Sequence, residues 1–460
     1  MASIARCRDA LKSEPFPQSE LVRAYLSKED LTEAATAMEY PWRERIWTPA
    51  QTLWTFLLQV LHPGWACREA VAHVLAQHEA AGTPLHASPD PSAYSQGRKR
   101  LPLSLFRYGL RKVGETLEAK VGEAHRWCGR RVWIVDGSSC SMPDTPELQK
   151  AFGQPTGQKK GCGFPVAKLV AMFCWASGAV LDVAIGPYRS NELALWRQLW
   201  DQLQVGDVAL GDRFYGAYAD LAQLRARDCD GVFRLRGARA RTINFRQGRR
   251  LGKNDRLFTW SRPAQCPRTL APEEFAQLPA TLTVRVLRFD TRIKGFRSRR
   301  ILVVTTLLDP KAFPLEKIAA LYRDRWTVEL RIREVKTTLQ MEILRGQSED
   351  IVRKEIYLHF LAYNLIRALM WQAAQQHEQP LHRLSFAGTL QHFHALAPYL
   401  WLFAGTPQAA RRYELLLSWI AQDRLPRRPN RVEPRVLKRR LKPYDLLTRP
   451  RKEMKKALSR

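Results

Sequence analysis

The sequence predicts an α/β protein with a mixed central sheet, preceded and followed by helical sequence. Three observations carry that prediction. Apolar residues keep helical spacing up to about residue 125; from residue 131 the period shortens to that of strands; and the strand-like runs come in the order strand, strand, strand, helix, strand, which calls for a crossover. The 460 residues suffice for about two to four structural units around a substantial core. A hydrophobic content of 45% is that of a globular chain.

Residues 1–125 read as a helical N-terminal domain. Thr48-Pro49 is an N-cap followed by proline at the first helical position, and Leu53, Trp54, Leu57, Leu58 and Leu61 then recur at helical spacing. A second helix runs from about Arg68 to His78. After a loop from Gly82 to Pro91, the basic stretch Ser95-Gln96-Gly97-Arg98-Lys99-Arg100 leads into an amphipathic run from Leu103 to about Val121. Small basic helical units of this kind dock in a DNA groove, and a helical linker or dimerisation element gives the same pattern.

Residues 126–230 carry the strand-like runs. Val132-Trp133-Ile134-Val135 ends in Asp136-Gly137, Lys168–Trp175 follows, and Val180–Ile185 comes after the Ser177-Gly178 turn. A helix is expected from Asn191 to about Leu203, and then Val208-Ala209-Leu210 closes on Gly211-Asp212. The helical crossover makes this last strand parallel to an earlier one. Residues 231–308 return to β patterning rich in arginine: Val232–Arg236, Leu282–Phe289 and Ile301–Leu308. One long helix from about Leu315 to Leu339 opens the segment 309–375. The C-terminal region 376–460 is helical to Ala421 and from Arg424 becomes a Pro- and Arg-rich extended tail.

The formal net charge is +30, which points to a polyanionic partner. Residues 234–300 hold 18 Lys/Arg against 4 Asp/Glu, and residues 424–460 hold 15 against 3, so two local segments carry nearly all of the excess. Evenly spread basic charge, as on a ribosomal protein, is excluded. The eight cysteines form no CxxC pair, which argues against a zinc finger and a disulfide framework, and Cys162 and Cys174 read as reduced. No stretch of about eighteen apolar residues occurs, and Met1 to Arg8 lacks a signal-peptide run, so a cytoplasmic, membrane-free protein is expected.

Asp136 and Asp212 each directly follow a strand, where a carboxylate is held rigidly at the edge of the core and still reaches metal or solvent. An Asp-Gly turn explains either one alone. Asp207, before its strand, reads as a turn aspartate, and Asp144 as a surface one. On the long helix Tyr322, Arg325, Glu329 and Lys336 fall within roughly 60° of one another at about 100° per residue. They form one polar stripe beside the apolar face of Leu321, Val328, Ile332, Val335 and Leu339. A solvated charge run would normally lie opposite the core.

Tyr322-x2-Arg325-x3-Glu329-x6-Lys336 resembles the signature of the insertion-sequence transposases of family four, within the Asp-Asp-Glu superfamily. Ile134-Val135-Asp136-Gly137-Ser138 with Met142–Glu147 resembles that family's first aspartate block, and Leu210-Gly211-Asp212-Arg213 its second. The likeness extends over most of the chain, including Lys442-Pro443-Tyr444 in the tail. It implies a ribonuclease-H-like catalytic core with a β-rich insertion at 231–308, between Asp212 and Glu329, and a helical, DNA-binding N-terminal domain. Asp136, Asp212 and Glu329 are then the catalytic residues and metal ligands for two Mg²⁺ or Mn²⁺ ions about 3.5–4 Å apart, the arrangement that serves phosphodiester cleavage and transfer. Tyr322, Arg325 and Lys336 contact DNA phosphates. The implied partners are double-stranded DNA, both terminal inverted repeats and target, bound by a homodimer on paired ends in a nucleoid-associated, bacterial setting. Some members place a tryptophan ahead of the long helix to stack on a flipped base; this chain has Arg299-Arg300-Ile301 there, so the resemblance does not carry base flipping. A metal-dependent nuclease of the same fold and an inactive DNA-binding protein are the alternatives.

Overall fold

A computed structural model describes residues 24–426, except 81, 83, 86, 160, 291–299, 404 and 405, together with residues 447–458. Five helices come first: α1 (Lys28–Ala37), α2 (Pro49–Leu61), α3 (Cys67–Ala80), α4 (Ser92–Arg100) and α5 (Leu103–Ala119). The Thr48 hydroxyl accepts a hydrogen bond from Gln51 N, so the cap expected from sequence starts α2. Strand β1 (Val132–Ser141) is followed by α6 (Pro146–Phe152), β2 (Val166–Cys174) and β3 (Val180–Pro187). Then come α7 (Glu192–Arg197), β4 (Val208–Gly211), α8 (Tyr218–Arg225) and β5 (Asp230–Arg234). Two hairpins follow, β6 (Arg249–Gly252) with β7 (Asp255–Ser261) and β8 (Thr281–Asp290) with β9 (Arg300–Thr305). The chain returns to helix in α9 (Leu315–Asp324), α10 (Thr327–Arg333), α11 (Glu349–Gln376), α12 (Phe386–Leu402), α13 (Pro407–Gln422) and α14 (Arg451–Leu458).

All nine strands share one mixed sheet in the order β3-β2-β1-β4-β5-β9-β8-β7-β6. β1, β4 and β5 are parallel neighbours and the remaining pairs are antiparallel. Helices cover both faces, because a sheet with β1 to β5 buried on each side needs an apolar layer above and below. One layer joins Leu53, Leu57, Leu110 and Phe106 of the N-terminal helices to Ile134, Phe173, Leu358 and Leu416. The other packs Trp196, Leu221 and Tyr215 on Trp133, Val135 and Phe233.

The arginine-rich β segment therefore extends the core sheet. A boundary at residue 231 would cut β5, whose Val232 pairs with Thr305 of β9. The N-terminal helices are equally continuous with the rest. α5 packs on β3 and α11, closely enough that a Cβ on Gly114 would stand 2.5 Å from the Val180 carbonyl oxygen. Most of the basic tail, with Lys442-Pro443-Tyr444, lies outside the described residues, and its final stretch is the helix α14. The cysteines among the described residues are free, and no described helix is long and apolar enough to cross a membrane.

Two aspartates differ from their expected settings. Asp207 does close a turn, through its N–H to Gln204 O, but its carboxylate is 2% exposed. It accepts hydrogen bonds from Arg131 Nε and Nη2, Trp133 Nε1 and Gln204 N at 2.6–2.9 Å, and so ties the start of β4 to the start of β1. Asp144 is mostly covered and accepts from Gln149 Nε2 and Arg451 Nε, which docks α14 against α6. Trp260 is likewise buried, with the Arg239 guanidinium 4.1 Å from its ring centre, and offers no free face for a base.

Candidate active site

The strand register brings the two aspartates together. Val132 pairs with Val208, Trp133 with Ala209 and Ile134 with Leu210, so Asp136 and Asp212, each two residues further on, stand at the same level of adjacent parallel strands. Such strands run ~4.8 Å apart. Asp136 lies within the continuing β1–β2 ladder, opposite Ala171, while β4 ends at Gly211. Asp212 opens a turn in which its Oδ1 accepts from Phe214 N at 2.6 Å, so it is both a turn aspartate and a strand-end carboxylate. Asp136 Oδ1 accepts from Gly137 N at 3.0 Å. Burial pushes the Asp136 carboxyl up to about 6; Arg325 and the Gly137 hydrogen bond oppose the rise, and the charges of Asp212 and Glu192 add to it.

Glu329 arrives on a segment that the sequence reads as one helix and the structure divides. Arg325 N bonds to Tyr322 O, Val328 N to Arg325 O and Glu329 N to Trp326 O, each three residues back, so the helix tightens between α9 and α10. Beyond α10 it widens to a π-turn over Glu334–Thr338, with Leu339 N bonded five residues back to Glu334 O. The expected single stripe is broken accordingly. Tyr322 is 1% exposed, its ring edge-on to Phe289 and Trp326. Arg325 is also buried, its guanidinium 4.8 Å from the Trp326 ring centre and 3.6 Å from Glu329 Oε1. Glu329 itself is 58% exposed. Lys336 Nζ donates to Ser139 O at 2.9 Å and lies 3.4 Å from Glu342 Oε1, pinning the π-turn to β1. Ile332 and Val335 meet Asp136 and Ser138 around a small void shared with Leu169, Ala171, Met341 and Phe360. The glutamate's helix thus lies along the strand that holds the first aspartate.

Among the described residues, no three His, Cys, Asp or Glu side chains are gathered closely enough to hold a metal ion. Two carboxylates stand on adjacent strands, and the raised Asp136 carboxyl records chiefly its burial, with smaller contributions from the charges of Asp212 and Glu192. The third carboxylate is turned to Arg325. The donor set therefore suits a hard divalent cation, with Glu329 having to leave its ion pair to join it.

The sequence reading passed over Glu192. It is the first residue of α7, after the N-cap Asn191, and its Oε1 accepts from the Tyr215 hydroxyl, three residues beyond Asp212. A glutamate in a first helical turn is ordinarily explained by the helix dipole, so nothing local singles it out.

A family model described as a transposase DDE domain matches residues 127–365, a little over half of the chain and a span that contains all three carboxylates. The chain is 28% identical over 374 residues to the transposase InsG for insertion sequence element IS4 of Escherichia coli (strain K12), covering 79% of each protein. It is 39% identical over 88 residues to the "Probable transposase for insertion sequence element IS5377" of Geobacillus stearothermophilus, 19% of this chain and 22% of that one. Among solved structures, a piggyBac transposase synaptic complex with hairpin DNA aligns over 90% of this chain and 86% of that one at 8% identity and a TM-score of 0.44, a distant likeness.

Proposed function

Because the chain belongs to the transposase DDE domain family, we infer that it is the DNA transposase of an insertion sequence, cutting the ends of its element and joining them to a target. We propose a ribonuclease-H-like core in which Asp136, Asp212 and Glu329 hold two divalent ions, Mg²⁺ or Mn²⁺. The observation that carries this reading is the pairing of β1 with β4, which brings Asp136 and Asp212 level on neighbouring interior strands within the family match.

When bound, divalent cations supply an activated oxygen nucleophile and relief of charge on the leaving oxygen. The chain's own residues prepare that setting. Asp136 is held within the β1–β2 ladder, and Asp212 at the turn that closes β4, where its Oδ1 accepts from Phe214 N. Arg325, buried between Trp326 and Glu329, keeps the glutamate close while neutralising it, and gives it up as the carboxylate turns inward. The freed guanidinium and Lys336 then face the phosphate backbone, while Tyr322 serves as packing that fixes Arg325. The arginines of residues 234–300 and the basic tail make sequence-independent phosphate contacts along duplex DNA, and two copies bind the paired element ends.

The test is cleavage of radiolabelled element ends by Asp136→Asn, Asp212→Asn and Glu329→Gln. Each variant should bind the ends within about twofold of wild type, because the basic surfaces that make the phosphate contacts are untouched. None should cut or join them. Cleavage by Glu329→Gln in Mg²⁺ near the wild-type rate would overturn the three-carboxylate reading.

A further inference from the structure

A glycine flanks each aspartate, Gly137 after Asp136 and Gly211 before Asp212, and neither has a positive φ. Space is what both positions require. A Cβ on Gly137 would stand 2.5 Å from Cδ and Oε1 of Glu192. A Cβ on Gly211 would stand 2.8 Å from Tyr215 Cδ2. The two intruding side chains are joined to each other, the Tyr215 hydroxyl donating to Glu192 Oε1.

We propose that Glu192 and Tyr215 act as a clip, seated on the bare backbones of Gly137 and Gly211, which fixes the separation of Asp136 and Asp212. Both are positioning residues for the cleavage reaction. The inference rests on the reading of those two aspartates as metal ligands.

The surroundings of the pair explain why it can hold a distance. Tyr215 is fully buried, its ring edge-on to Trp196 at 5.2 Å, and Trp196 is in turn edge-on to Phe233 at 5.8 Å. The ring therefore has no room to swing. Glu192 is anchored through α7, which packs on β2 and β3, and Asn191 Oδ1 caps that helix by accepting from Leu193 N. One hydrogen bond thus links the α7 side of the sheet to the turn that carries Asp212. A buried hydroxyl bonded to a carboxylate is a costly way to fill space that an apolar ring and a leucine would fill. Its return is a defined length, and between two ligands of the same metal site length decides whether both can bind.

The experiment compares Glu192→Ala, Glu192→Gln and Tyr215→Phe with wild type and Asp136→Asn in the full-length protein. It follows single-turnover cleavage of element ends, the Mg²⁺ concentration at half-maximal rate, affinity for the ends, and thermal stability. Tyr215→Phe and Glu192→Ala should slow cleavage on the order of 10- to 100-fold, the scale of a misplaced reacting group. They should also raise the Mg²⁺ requirement and leave DNA-end affinity unchanged. Glu192→Gln, whose amide oxygen accepts the same hydrogen bond, should stay within about threefold of wild type. The clip is overturned if Tyr215→Phe and Glu192→Ala cut at the wild-type rate and Mg²⁺ requirement, whatever their melting temperature. It is equally overturned if Glu192→Gln is as inactive as Asp136→Asn, since Glu192 would then be a ligand. Cleavage by Asp136→Asn itself would instead remove the reading on which the clip stands.

Discussion

β1 is hydrogen-bonded to β4 along one edge at residues 132–134 and to β2 along the other from residue 133 to 141. The chain that brings Glu329 is continuous in direction but not in geometry, with a tightened turn at Arg325–Trp326 and a π-turn after Arg333. Asp136 therefore sits within the strand frame and Asp212 on the turn directly after it, and the glutamate on a helix with a joint at either end. Irregular helical turns of this kind recur at sites that move. The difference teaches that two of the carboxylates are set by folding, whereas the third is set by an ion pair that can exchange.

The largest expected effect breaks the rigid side. Asp207→Ala leaves Arg131 and the Trp133 indole without their buried acceptor, and should lower the unfolding free energy in urea by about 3–5 kcal/mol. A loss under ~1 kcal/mol would mean that the strand frame does not depend on this link. A second measurement contrasts the two sides directly. Burial pushes the folded Asp136 carboxyl up to about 6, above the ordinary range near 4, so wild type should lose stability as pH rises through 4 to 6 and stay lower above. Metal-free Asp136→Asn should thus be more stable than wild type by on the order of 2 kcal/mol at pH 7.5, and indistinguishable from it at pH 4. Glu329→Gln, which leaves the buried Arg325 facing a neutral amide in place of the exposed carboxylate, should not raise stability at either pH. Equal shifts for both variants would erase the contrast. A smaller effect than at Asp136 is expected at Gln340, an exposed residue just past the π-turn with φ +56°. Gln340→Gly should raise stability by up to about 1 kcal/mol by relieving the left-handed backbone, detectable as a small rise in melting temperature.

Asp136 and Asp212 were legible because each abuts an apolar run, and strand–helix–strand order alone made β4 parallel to an earlier strand. The break in the Glu329 helix was not. Leu321, Val328, Ile332, Val335 and Leu339 keep helical spacing across it, since a turn that gains angle is followed by one that loses it. Asp207 was read correctly as a turn residue, yet Arg131 and Trp133, its partners, lie more than seventy positions away. Glu192 and Tyr215 are hidden for another reason: they stand 23 positions apart, and their meaning lies in the close approach to Gly137 of β1 and Gly211 of β4. Pairing of β9 with β5 is non-local as well, so the arginine-rich hairpins looked like a separate insertion when they complete the sheet.

β6 ends that sheet, and no other described strand pairs with its outer side, the usual invitation for another strand to add on. Arg249 and Arg250 are exposed along it. A second copy docking there would bring arginine against arginine in a protein already at +30. The repulsion reaches only about 8 Å at physiological ionic strength, but strands that pair lie well within that range. A cationic rim of this kind disfavours edge-to-edge pairing of two copies, and high salt is the condition that would weaken that repulsion.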